Sequence, residues 1–171
     1  MDLNFAIKQY ICATYCGYDF IKTYRYNLAL QVKMINLPKH KKLILFDGVC
    51  NLCNASVQYV IRHDKNNIFL FTALQSETGL EIIKKYNIDT SKTDSILLYT
   101  PENGIASKSS AALKIAGSLG FPQNILSIFL IVPPFIRNWV YDYIAKNRYK
   151  WYGKKESCWI PTPELKSKFL D

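Results

Sequence analysis

The sequence predicts an α/β domain with element order β-α-β-α-β-β-α and a C-terminal helical extension. Three observations lead there. Two short apolar runs, "LILF" (43–46) and "IFLFTAL" (68–74), flank a segment of helical periodicity. A Pro-Glu-Asn-Gly turn separates two further strand-like runs, and an Ala- and Leu-rich segment follows them.

"LILF" ends at Asp47-Gly48 and reads as a strand buried on both faces. In the helix that follows, Cys53, Val57, Val60 and Ile61 fall on one apolar face, and Asn54, Gln58, Arg62 and Lys65 are expected away from it. Lys65-Asn66-Asn67 turns the chain into the second strand. Thr78 and Glu81 have capping-box spacing, which predicts a second helix opening there and running to about Tyr86. Two apolar strands joined by a helix are best paired in parallel with a right-handed connection. "SILLYT" (95–100) and "IASKS" (105–109) around the turn at 101–104 predict an antiparallel hairpin. "SSAALKIAGSLG" opens on serine caps and stops at Gly120. This order is the thioredoxin arrangement, with a C-x-x-C at the end of the first strand and the start of the first helix. Helical segments at about 123–131 and 135–149 and a Pro-punctuated tail complete the chain. The run "ILSIFLIVPPFI" is too short before Pro133-Pro134 to cross a bilayer, which needs ~20 residues, so a buried helix is expected and no transmembrane segment.

Residues 1 to 33 lack clean periodicity, and "KMINLPKHKKLILF" reads as a fresh start at Met34. The chain is accordingly divided into an N-terminal extension, 1–40, loosely ordered or not native, and a domain, 41–171. No charged-then-apolar-then-small pattern opens the chain, so no signal peptide is expected.

With 49% apolar and 20% charged residues, the composition is that of a globular protein and excludes a disordered one. The net charge of +9 favours weak attraction to anionic partners, but the lysines are spread along the chain as on a solvated surface. No specific nucleic-acid site is expected. Five cysteines, two of them too close together to staple distant parts of a fold, argue for a reducing compartment and a cytoplasmic protein.

The chemistry rests on Cys50 and Cys53. Unsatisfied N–H groups at a helix N-terminus favour negative charge. A thiol there ionises more readily than the free value near ~8.5, and the thiolate is the nucleophile. Cys50 at that end is expected to be the more exposed and to attack; Cys53, one turn on and shielded, is expected to resolve. Two other readings stand beside this one. The pair could be inert core thiols, though nothing would then place it at a strand-to-helix junction. Alternatively Cys12, Cys16, Cys50 and Cys53 could give four thiolates to zinc in a metal-stabilised binding module. Exchange chemistry needs no bound cofactor or metal.

"FDGVCNLCN" resembles the signature of the DCC thiol–disulfide oxidoreductase family, named for D-x-x-C-x-x-C, with Asp47, Cys50 and Cys53 in the named positions. The likeness continues through "FTALQSETG", "KSSAALKI", "RNWVYDYIAKNRYKWYGK" and "CWIPTPELKSKFLD", roughly residues 41 to 171. It implies a thioredoxin-like fold and a protein-disulfide oxidoreductase acting on a protein or small-molecule thiol or disulfide, with Cys50 and Cys53 as the redox pair. The reductase direction is expected. A thioredoxin-type site places a cis-proline before the third strand; Asp94 and Ser95 stand there instead, so substrate docking must differ. Asp47 could oppose the thiolate or accept a proton from Cys53; equally it could be a turn residue bonded to backbone N–H groups.

Other residues attract blander readings. His63 near the end of the first helix and His40 among lysines are expected at the surface. In "NRYKWYGK" (147–154) the rings are expected to pack inward while the basic residues reach water. Cys158 reads as a small apolar filler, with a role as third thiol left open.

Overall fold

Leu43, Ile44, Leu45 and Phe46 are all buried, because this apolar run has neighbours on both edges and both faces. The computed structural model describes residues 37–89, 95–155, 163 and 165–170, all within the unit Leu37–Asp171. Strand β1 (Lys42–Phe46) pairs in parallel with β2 (Phe69–Ala73), Lys42 opposite Phe69 and Phe46 opposite Ala73. On its other side β1 pairs antiparallel with β3 (Leu97–Thr100), and β3 with β4 (Gly104–Ser107). The strand order is β2-β1-β3-β4. Helices α1 (Asn51–His63), α2 (Glu77–Lys85) and α3 (Lys108–Ser118) fall between and after the strands in the expected β-α-β-α-β-β-α order. This mixed sheet with its helices is the thioredoxin-like arrangement. A core of Ile44, Phe46, Phe71, Leu98, Val57 and Val60 joins Ala111, Ile115 and Leu119 of α3 and its end, so α1 and α3 are packed with the sheet.

Helix α2 starts one position before Thr78. Its cap is Ser76, whose Oγ accepts from the Gly79 N–H at 3.1 Å. Ser76 prevails over Thr78 because its hydroxyl is already fixed, donating to the Ala73 carbonyl at 2.9 Å and bonded to Thr72 Oγ1 at 2.8 Å. Asn54 also departs from expectation. It is buried on α1, and its Nδ2 donates to the Gly48 carbonyl at 2.9 Å, so the amide ties the turn to the helix.

Beyond α3 come a 3-10 segment, Gln123–Ile131, and helix α4 (Pro134–Tyr152). The expectation of a buried helix at 123–131 is corrected: no residue of the segment is buried, and Ile131 is 82% exposed. A nine-residue run docked along one side cannot turn a uniformly apolar sequence inward. It lies close against α3, where a Cβ on Gly117 would come 3.1 Å from Ser127 Cβ. No helix among the described residues is long and apolar enough to cross a membrane.

The tail returns to the sheet. Phe169 forms a parallel bridge to Phe71, their rings 5.5 Å apart, and the Leu170 N–H donates to the Phe71 carbonyl at 3.1 Å. Cys12, Cys16, Met34 and the rest of the N-terminal extension through residue 36 lie outside the described residues, as do Asp94 and Cys158.

Candidate active site

The turn Asp47–Cys50 carries the chain from β1 into α1, and Cys50 is the N-cap residue. Its Sγ accepts from the Cys53 N–H at 3.2 Å, taking the place that a serine or aspartate oxygen usually fills. The Cys53 thiol also hydrogen-bonds to Cys50, and both cysteines are free thiols. The expected pair is therefore together at the helix start.

Their expected exposure is reversed. Cys50 has no exposed surface, whereas Cys53 is half-buried. The cause lies a hundred residues on. After α4 the chain crosses the turn: Lys154 bridges to Cys50, the Lys155 N–H donates to the Val49 carbonyl at 2.8 Å, and Asn51 Nδ2 donates to the Tyr152 carbonyl at 2.8 Å. Gly153, at φ +79°, makes the bend that this crossing requires. Nothing near Cys50 in the sequence announces that cover.

Asp47 is buried and engaged at both oxygens. Oδ1 accepts from the Val49 N–H at 3.2 Å and from Gln75 Nε2 at 2.9 Å. Oδ2 accepts from Arg148 Nη2 at 2.9 Å and from the Tyr149 hydroxyl. Gln75 completes the clasp by accepting from the Gly48 N–H at 3.3 Å.

Arg148 is the residue of the site that sequence reasoning missed. It is 3% exposed, lies on α4, and stacks on the Tyr149 ring with its guanidinium carbon 4.6 Å from the centroid. The expectation for 147–154 is thus corrected: the arginine is inside, while Trp151 and Tyr152 are exposed. A buried carboxylate needs a cation, and that need was the available signal. Burial works against the Arg148 charge, but its hydrogen bond to Tyr149 and the charges of Cys53, Tyr149 and Cys50 more than offset it and raise its affinity for the proton. Burial, the hydrogen bond to Asp47 and the Asp47 charge push the Tyr149 hydroxyl up to about 12, so it serves as a donor. Burial first, then the hydrogen bond and charge of Cys50, push the Cys53 thiol well above its ordinary value; Arg148 pulls partly the other way.

Cys53 faces an open cavity of about 630 Å³ lined by α1, α3, the 3-10 segment and α4, with Phe46, Asp47 and Ile96 also in its wall. Tyr141, from α4, lines it and accepts from the Ile96 N–H at 3.1 Å. Burial foremost raises the Tyr141 hydroxyl, and the Cys53 charge adds to it. At the position before β3 that a cis-proline would take, Ser95 is buried and its Oγ has no hydrogen-bond partner among the described residues. His40 is exposed. His63 is half-buried, stacked on Tyr59 with ring centroids 4.1 Å apart, and its Nδ1 lies 2.8 Å from the Tyr59 carbonyl. Among the described residues no group of three or more His, Cys, Asp or Glu side chains could hold a metal ion.

The chain is similar to known proteins over most of the described residues. The family model described as DCC1-like thiol-disulfide oxidoreductase matches residues 44–154, which takes in the turn, the sheet and α4. An uncharacterized protein of Bacillus subtilis (strain 168), YuxK, is 44% identical over 129 residues, covering 75% of this chain and 93% of its own. A chloroplastic DCC family protein of Arabidopsis thaliana is 38% identical over 119 residues, covering 69% of each. No solved structure matches. The family model spans the turn and helix that carry Asp47, Cys50 and Cys53, and the chain belongs to the DCC1-like thiol-disulfide oxidoreductase family.

Proposed function

We propose that the protein exchanges disulfides with a protein or small-molecule thiol through Cys50 and Cys53, without a bound cofactor. The observation that carries this reading is the Cys53 N–H donating to Cys50 Sγ at the start of α1. That donor, the first turn of the helix and the Arg148 charge all favour electron density on the Cys50 sulfur.

Burial supports a division of roles. Cys53 presents its sulfur to the cavity and Cys50 does not, so the mixed disulfide with substrate forms on Cys53. Cys50 then attacks Cys53 and releases the substrate thiolate. In the opposite direction a substrate thiolate attacks Cys53, and Cys50 departs with the electron pair into a site that stabilises it, which speeds exchange. This order is the reverse of the one expected from the position of the cysteines alone. Asp47 acts as a positioning residue, since its two oxygens are committed to four donors. The odd cysteine count and the close spacing support a cytoplasmic, reducing setting and hence the reductase direction.

The test is a pair of traps. Cys50→Ser, incubated with a disulfide substrate, should accumulate a mixed disulfide at Cys53 detectable by mass spectrometry, and Cys53→Ser should not react at comparable rate. A mixed disulfide confined to Cys50 would reverse the roles, and full turnover by either variant would refute exchange through the pair.

A further inference from the structure

The cavity beside Cys53 is much larger than two sulfur atoms need. Its volume, about 630 Å³, falls within the ~300–1,000 Å³ of cavities that enclose small molecules. Its polar groups gather around the sulfur: the charges of Cys53 and Arg148 act on one another and on the Tyr141 hydroxyl. The rest of the wall is set by residues such as Leu52, Ile115, Leu119, Leu126 and Ile144. Polar side chains in that part are few and already bond within the protein. Gln123 Nε2 donates to the Tyr59 hydroxyl at 2.9 Å, and Ser56 Oγ donates to the Leu52 carbonyl at 2.8 Å. A polar substrate such as a peptide of charged residues would lose its water here and find no partners. An apolar group would lose nothing.

We propose that this cavity binds the apolar group of a low-molecular-weight disulfide, held so that the sulfur bearing that group lies against Cys53. The proposal rests on the exchange reading above and names its substrate class. Cys53 gives its proton to water as its sulfur bonds to the sulfur that carries the apolar group; the substrate S–S bond breaks, and the other half leaves as a thiolate that takes a proton from water. Cys50 then bonds to Cys53, the apolar half leaves with the electron pair of the broken bond, and the enzyme dithiol has been oxidised by two electrons as the substrate disulfide is reduced. The proton that Cys50 gives up passes to the departing sulfur, and Tyr141, whose oxygen already accepts from the Ile96 N–H, donates a hydrogen bond to that sulfur.

The experiment uses the full chain, reduced, with a series of 2-hydroxyethyl alkyl disulfides from methyl to hexyl. Their leaving thiols are alike, so intrinsic reactivity is constant and only the buried apolar length changes. The second-order rate constant for oxidation of the dithiol should rise about fourfold per added methylene, as burial of each methylene in an apolar site predicts. Filling the cavity from two different walls, with Ala116→Phe on α3 and separately Ala145→Phe on α4, should flatten that dependence in whichever variant keeps a cooperative thermal transition. Oxidation of the wild-type dithiol at a rate independent of chain length would overturn the proposal while leaving the exchange reading intact. Failure of every member of the series to oxidise the dithiol would overturn both.

Discussion

Arg148 Nη2 donates to Asp47 Oδ2 at 2.9 Å across 101 residues of chain, and both side chains are buried. The bond joins α4 to the turn that carries the cysteines. It also places a fixed positive charge where it acts on both sulfurs.

Removing one partner of such a pair leaves the other charged and buried. Arg148→Met should therefore cost about 3 kcal/mol of stability in urea denaturation at pH 7. The double variant Asp47→Asn/Arg148→Met should cost clearly less than the sum of the two single variants, because the buried charge is then gone from both sides. Additive losses would mean that the two residues do not depend on one another.

The pH dependence follows from the raised Cys53 and Tyr149. The folded Cys53 thiol holds its proton above its ordinary value of 9.0. Its contribution to stability is complete below pH 9 and is lost as the pH climbs beyond it, where the unfolded chain gives up the proton and the folded chain keeps it. Tyr149, pushed from 10.0 up to about 12, adds a second loss between those values. Thermal melts with reductant from pH 7 to 11 should show the wild type declining from about pH 9 and Cys53→Ser from about pH 10. Parallel curves would contradict this.

Gly79 stands in the first turn of α2, where an added Cβ would lie 2.1 Å from the Ala73 carbonyl oxygen. That atom is backbone at the end of β2 and cannot swing aside. Gly79→Ala should destabilise by about 1–3 kcal/mol despite the better helix propensity of alanine. Denaturant midpoints with an unchanged slope would register it.

The sheet and helices were legible because each carried its own local pattern. "LILF" and "IFLFTAL" are apolar without alternation, as strands covered on both faces must be, and Gly120 marks the end of α3, whose start at Lys108 precedes the serines read as its caps. The cysteine pair and Asp47 were legible through their spacing at the junction of β1 and α1. What did not show was whatever depends on distant chain. Arg148 reads as one more basic residue in "NRYKWYGK", since α4 lacks a clear apolar stripe to mark its inner face. Cys50 reads as exposed because a helix start usually is; only the crossing of Lys154 and Lys155 buries it. Asn54 reads as solvent-facing because an amide at that position normally is, and its bond to Gly48 involves backbone that no side-chain pattern reveals.

Among the described residues β2 is the outermost strand on its side, and its sequence is Phe-Leu-Phe-Thr-Ala. A free edge with that composition is a template on which a foreign strand can add. The parallel bridge from Phe169 and the Leu170 N–H on the Phe71 carbonyl occupy that template, and the Phe169 ring shields it. The tail is thus a guard against self-association as much as a part of the core. Replacing Phe169 with alanine should leave the monomer less stable by about 2 kcal/mol and, well below its melting temperature, prone to concentration-dependent association visible by light scattering. Scattering that stays flat across the concentration range would show that the edge is protected in some other way.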